Sequence, residues 1–112
     1  DDRQAWRWTM MMMQPDLVTP EVLSVAYDKA SKKLNRSTDD VRFESLKEGR
    51  VVQVMHIGPY SDEPPVIAAM HEFVAQNGLK LRDHHHEIYL GDPRRSKPEK
   101  LKTILRHPVE PA

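Results

Sequence analysis

The chain has 112 residues, 17 acidic and 17 basic, and no cysteine. One domain, or one lobe of something larger, is all that length allows. Zero formal charge argues against a nucleic-acid coat, and the missing thiols exclude disulfides, thiolate nucleophiles and thiolate metal sites while fitting a cytoplasmic location. No apolar run nears the roughly 20 residues of a membrane helix, so no membrane partner is expected.

Trp6 to Gln14 reads as a strand stopped by Pro15-Asp16, with Trp6, Trp8, Met10 and Met12 on one face. The four consecutive methionines, Met10 to Met13, read as flexible core filler on a strand covered on both sides. Thr19-Pro20-Glu21 then opens a helix: a hydroxyl cap, proline where no N–H is missed, and an acid in the first turn. Leu23, Ala26, Tyr27, Ala30 and Leu34 form its apolar stripe.

A strand pair is predicted over Val41 to Ile57, with a turn at Lys47-Glu48-Gly49 and both faces of Val51–Ile57 covered. Gly58-Pro59 ends it. A second helix starts with Pro64-Pro65 in its first turn, carries the stripe Val66, Met70, Phe73 and Val74, and closes at Asn77-Gly78. His84 to Leu90 is another strand, Pro98 to Lys102 one helical turn, and Thr103 to His107 a last strand. Strands with two helices and no regular βαβ alternation imply α+β, helices packed on one face of a mainly antiparallel sheet.

Period-2 geometry puts His85, Glu87 and Tyr89 on one strand face and His86, Ile88 and Leu90 on the other. Ile88 and Leu90 should face the helices, leaving Glu87 and Tyr89 to an opposite face open to water or a ligand. With two Trp, three Tyr and two Phe in all, Trp6, Trp8, Tyr60 and Tyr89 could box a flat or cationic ligand above Glu87. Burial among those rings should raise the Glu87 pKa and make it a proton acceptor near neutrality. The competing reading is an open, solvated sheet face with the tryptophans in the core.

The six histidines suggest a metal only through His84 and His86, with His56 and Glu63 as further ligands. Nothing else at ligand spacing completes a set, so no metal or other cofactor is expected. The basic stretch of Arg94, Arg95, Lys97, Lys100, Lys102 and Arg106 reads as a solvated turn and strand edge. No serine has a nucleophile-elbow context.

Several segments, in order, resemble the GyrI-like small-molecule-binding family. They are His56-Ile57-Gly58-Pro59-Tyr60-Ser61-Asp62-Glu63-Pro64, His85-His86-Glu87-Ile88-Tyr89-Leu90, Asp92-Pro93-Arg94-Arg95 and Pro98-Glu99-Lys100-Leu101-Lys102-Thr103. Trp6-Arg7-Trp8 and Gln14-Pro15-Asp16 look closest to its stand-alone branch, which includes cyclopropanoid cyclopropyl hydrolases. The resemblance implies two β-α-β-β modules related by a pseudo-two-fold, with a ligand between their sheets. Residues 1–112 would be the C-terminal module, and a second chain or a homodimer would supply the other wall.

By the same resemblance Trp6, Trp8, Tyr60, Glu87 and Tyr89 contact an aromatic, cationic small molecule. Three chemistries follow from it. The first is capture of a xenobiotic. The second is hydrolysis of a DNA-alkylating cyclopropane, with Glu87, Glu63 and Tyr60 as catalytic groups. The third is a protein-interaction role like that of gyrase-inhibitory relatives.

Overall fold

The computed structural model describes residues 3–112, which divide into two units, residues up to Glu44 and Ser45–Ala112.

The first unit contains a 3-10 turn, Arg3–Ala5, and one helix, α1, Pro20–Leu34. Thr19 caps α1 as expected, its hydroxyl accepting from the Val22 N–H at 3.3 Å. At the other end Asn35 adopts the left-handed conformation, φ 51°. Its N–H reaches Lys32 O, and the Arg36 N–H reaches Ser31 O, a Schellman closure. Leu23, Tyr27, Ala30 and Ser31 are the half-covered side chains of α1, and none of its residues is buried.

The expected strand over Trp6 to Gln14 does not form, and Met10 to Met13 are exposed rather than core filler. A strand exists through its ladder, and aromatic or β-branched composition alone does not supply one.

The second unit is built around a ten-residue strand. In chain order it holds β1 (Val51–Ile57), α2 (Glu63–Gln76), β2 (Leu79–Leu81), β3 (His86–Tyr89) and β4 (Lys102–Pro111). Short 3-10 turns, Tyr60–Asp62 and Pro98–Lys100, precede α2 and β4. β4 is central: β1 runs antiparallel along one side, β3 and β2 along the other. All pairings are antiparallel, as an α+β architecture requires.

β4 is longer than the predicted Thr103 to His107 because Pro108 marks a change of partner. β3 pairs with Thr103–Arg106 and β2 with Val109–Pro111. Between these partners the chain bulges at Arg82-Asp83, where Asp83 has φ 52° and the Arg82 N–H bonds Pro108 O. Proline lacks a donor but keeps its acceptor, so it sits where the ladder changes hands.

Side chains of directly paired antiparallel residues share a face. The registers therefore place Val52, Val54, His56, Thr103, Leu105, His107, Glu87 and Tyr89 together. This is the face under α2, whose Met70 and Val74 join Leu101, Leu105 and Val109 in the core.

Several expectations are corrected. Val41 to Arg50 is not a strand, so β1 has no hairpin partner and is an edge. β1 is not covered on both faces, since Gln53, Met55 and Ile57 are exposed. Phe73 is likewise exposed, and the buried line on α2 runs through Glu63, Met70 and Val74. Arg106, expected at a strand edge, stands on the central strand, where it pairs with Glu48 at 2.9 Å. Ile88 and Leu90 do not face the helix. Ile88 pairs with Ile104 on the open side, and Glu87 and Tyr89 take the helix-covered side.

A carboxyl pair beneath helix α2

The site begins where β1 ends. Gly58 has φ 137°, a conformation that side-chain-bearing residues rarely adopt. The reversal brings Pro59 O within 2.9 Å of His56 Nε2. His56 is only 5% exposed, and this bond anchors the Tyr60–Asp62 turn against the strand end.

Glu63 is the first residue of α2. An acid there suits the helix dipole, but this one does more than cap. It is 6% exposed, one of its oxygens, Oε1, has no hydrogen-bond partner, and it lies close enough to Glu87 on β3 for the two carboxyls to interact. Burial, then the neighbouring Glu87 carboxyl, raise the Glu63 pKa to about 7, against weaker opposition from His56 and His85.

Glu87 behaves in the opposite way. Its Oε1 lies 3.3 Å from His85 Nε2, and its Oε2 accepts the Tyr89 hydroxyl at 2.8 Å. The His85 bond holds the carboxyl below its ordinary range despite desolvation, with Tyr89 adding to the effect. The expectation that aromatic burial would raise the Glu87 pKa is thus overturned, because hydrogen bonds to the charged form outweigh desolvation. Of the two carboxyls, Glu63 is therefore the one shifted toward the protonated form. Tyr89, desolvated and bonded to Glu87, is held protonated well above the usual phenol range.

Tyr60 closes one side, its ring edge-on to Tyr89 with centroids 5.6 Å apart at 71°. This is a favourable quadrupole geometry. Thr103 lies in the floor, paired with both His56 and Tyr89, fully buried and with no partner for its hydroxyl.

Glu63, Glu87, Tyr60 and Tyr89 are therefore brought together, as the sequence indicated. Trp6 and Trp8 belong to the first unit, where they are 60% and 74% exposed. His85 and Thr103 were not named as site residues, and His56 was named only as a candidate metal ligand. The signal for His85 was present in the alternation His85-x-Glu87-x-Tyr89. Thr103 gave none, since its place depends on the β1–β4 register.

The metal set is not assembled. His86 pairs with Arg106 in register on the open face, bonded to Glu48 at 2.6 Å, whereas His56 and Glu63 lie beneath α2. Two concavities, about 410 Å³ around Tyr27, Asp28 and Ser31 and about 290 Å³ between Val54, Val66 and Met70, are lined by neither carboxyl nor tyrosine of the site. Tyr89 bonds Glu87 of the carboxyl pair and meets the ring of Tyr60.

Comparison with known proteins gives this site a context. The sequence matches the GyrI-like small molecule binding domain over residues 11–110. Among solved structures, a hydrolase from Listeria innocua is 46% identical with a TM-score of 0.76, over 87% of this chain and 52% of its own. A conserved protein from Listeria innocua is 48% identical with a TM-score of 0.78, over 87% of this chain and 50% of its own. The chain thus spans about half the length of these structures. No curated protein gives a significant match. With nearly its whole length matched, the chain belongs to the GyrI-like small molecule binding domain family.

Proposed function

We propose that this chain supplies one wall of a pocket for an aromatic, cationic small molecule. The Glu63–Glu87 pair is the polar base of that wall, and Tyr60 and Tyr89 are its aromatic lining. The observation that supports this reading is the pair itself: two neighbouring carboxyls beneath a helix, Glu63 shifted toward the protonated form and Glu87 toward the ionised one, with the rings of Tyr60 and Tyr89 beside them. An ionised carboxylate beside aromatic rings favours a flat cation through charge and ring quadrupole together. A second module or a second copy would add the facing wall.

Isothermal titration with ethidium, a planar aromatic cation, tests it. Saturable binding by this chain that falls at least tenfold in Glu87→Gln is the expected result. Equal affinity in a folded Glu87→Gln protein sinks the reading. Native mass spectrometry of the same samples reports whether the ligand-bound species is a dimer.

Hydrolysis is the second reading, favoured by the split protonation of the pair and by the hydrolase from Listeria innocua at 46% identity. On this reading ionised Glu87 takes a proton from water as its oxygen bonds a cyclopropane carbon. The ring C–C bond breaks, and its electron pair passes into a conjugated carbonyl that becomes a phenolate. The Tyr60 hydroxyl supports that oxygen, and Glu63 returns a proton. Incubating a cyclopropane-fused dienone with the protein and analysing products separates the readings: unchanged substrate argues for capture alone.

A further inference from the structure

Beneath α2 the carboxyl pair continues into a row of imidazoles. His85, just before β3, has one ring nitrogen on Glu87 and the other, Nδ1, buried without a partner. Its ring lies 6.0 Å from that of His107 on β4, tilted at 54°. His107 in turn meets His71 of α2 edge-on at 6.0 Å. Burial, then the neighbouring His85 and His71, push His107 below the ordinary histidine range, so the ring behind His85 stays neutral. The remaining titratable groups around His85 and Glu87 are Glu63 from α2, His56 from β1, Tyr60 from the preceding turn and Tyr89 on β3.

Two carboxyls that share a proton are by themselves nearly equivalent, and like charges so close cannot both ionise readily. Something must break the symmetry. Tyr89 and His85 both donate to Glu87, whereas Glu63 Oε1 has no donor. Of the two donors His85 is the more constrained, packed between Glu87 and His107, while Tyr89 stands at the exposed opening.

We propose that His85 is the positioning residue of this site: its Nε2–H holds Glu87 as the acceptor and leaves Glu63 as the group that presents the shared proton to a ligand. The role rests on the reading of the pair as the base of the ligand site, and it fixes that site's polarity. Glu87 becomes the side that receives a positive or proton-donating group. Glu63 becomes the side that donates to an oxygen. His107, held neutral by its burial, supports the arrangement from behind by placing no positive charge beside His85.

The test is a carbon-detected NMR titration of the two Glu side-chain carboxyls in the ligand-free 112-residue chain. In the unmodified protein each carboxyl should report mainly its own step, Glu63 near 7 and Glu87 below its ordinary value. In His85→Asn the lower step should rise by roughly one unit and both carboxyls should report both steps with comparable amplitude. His85→Gln, whose side-chain amide can reach the position of Nε2, should restore the separation. An unchanged separation in folded His85→Asn overturns the proposal.

A second measurement needs no variant. Nitrogen shifts of the His85 ring should show hydrogen on Nε2, and a bare Nε2 overturns the proposal as well. Neither readout uses a ligand. Failure of ethidium binding with the titrations as expected would count against the pocket alone, and failed titrations with intact binding would count against His85 alone.

Discussion

Replacing Glu63 by Gln should make the protein more stable, and increasingly so as pH rises. The carboxyl has an ordinary value of 4.5 and about 7 in the fold. Below 4.5 it is protonated in both states and contributes nothing. Between 4.5 and 7 the unfolded chain ionises while the folded one resists, so folding becomes progressively less favourable. Above 7 the full cost is present. With 1.36 kcal/mol per unit the ceiling is about 3 kcal/mol, and water at the opening of the site will reduce it.

The neutral amide of Glu63→Gln removes that cost and still donates to Glu87. Urea unfolding at pH 5 and pH 8 should show a gain below about 1 kcal/mol at the lower pH and roughly 1–3 kcal/mol at the higher. A gain that is the same at both values, or a loss at pH 8, refutes the assignment of the proton to Glu63.

Leu105→Ala removes a side chain with no exposed surface at the centre of the sheet. It should cost about 2–5 kcal/mol in urea unfolding, and a cost under about 1 kcal/mol would place the core elsewhere. Thr103→Val replaces a buried hydroxyl without a partner by a methyl of similar shape. Stability should hold or rise slightly, since no hydrogen bond is lost, and a loss above about 1 kcal/mol would mean the hydroxyl is bonded. Ethidium affinity should climb with pH by at most about tenfold per unit until Glu63 ionises near 7 and then level off, because the added negative charge favours the cation. Calorimetric titration from pH 6 to 8.5 checks this, and a flat profile removes Glu63 from the ligand's surroundings.

The two helices needed only local chemistry, which is why they were legible. Thr19, Pro20 and Glu21 mark one, and Pro64-Pro65 with Asn77-Gly78 mark the other, since caps act within a turn of the backbone they satisfy. The alternation of His85, Glu87 and Tyr89 likewise follows from strand geometry alone. Their direction does not. A strand's two faces are equivalent until register against a neighbour chooses one, and the pairing of Glu87 with Leu105 and of Tyr89 with Thr103 chose the face that Ile88 and Leu90 had seemed to claim.

The sequence by itself determined the helices, the α+β class and the group Glu63, Glu87, Tyr60 and Tyr89 through ordered motifs. Only the tertiary structure decided in which direction each carboxyl is shifted. That choice depends on the three-dimensional placement of His85, His107 and α2, and so do the burial of Glu63 and the bonds to Glu87 that move their affinities in opposite directions.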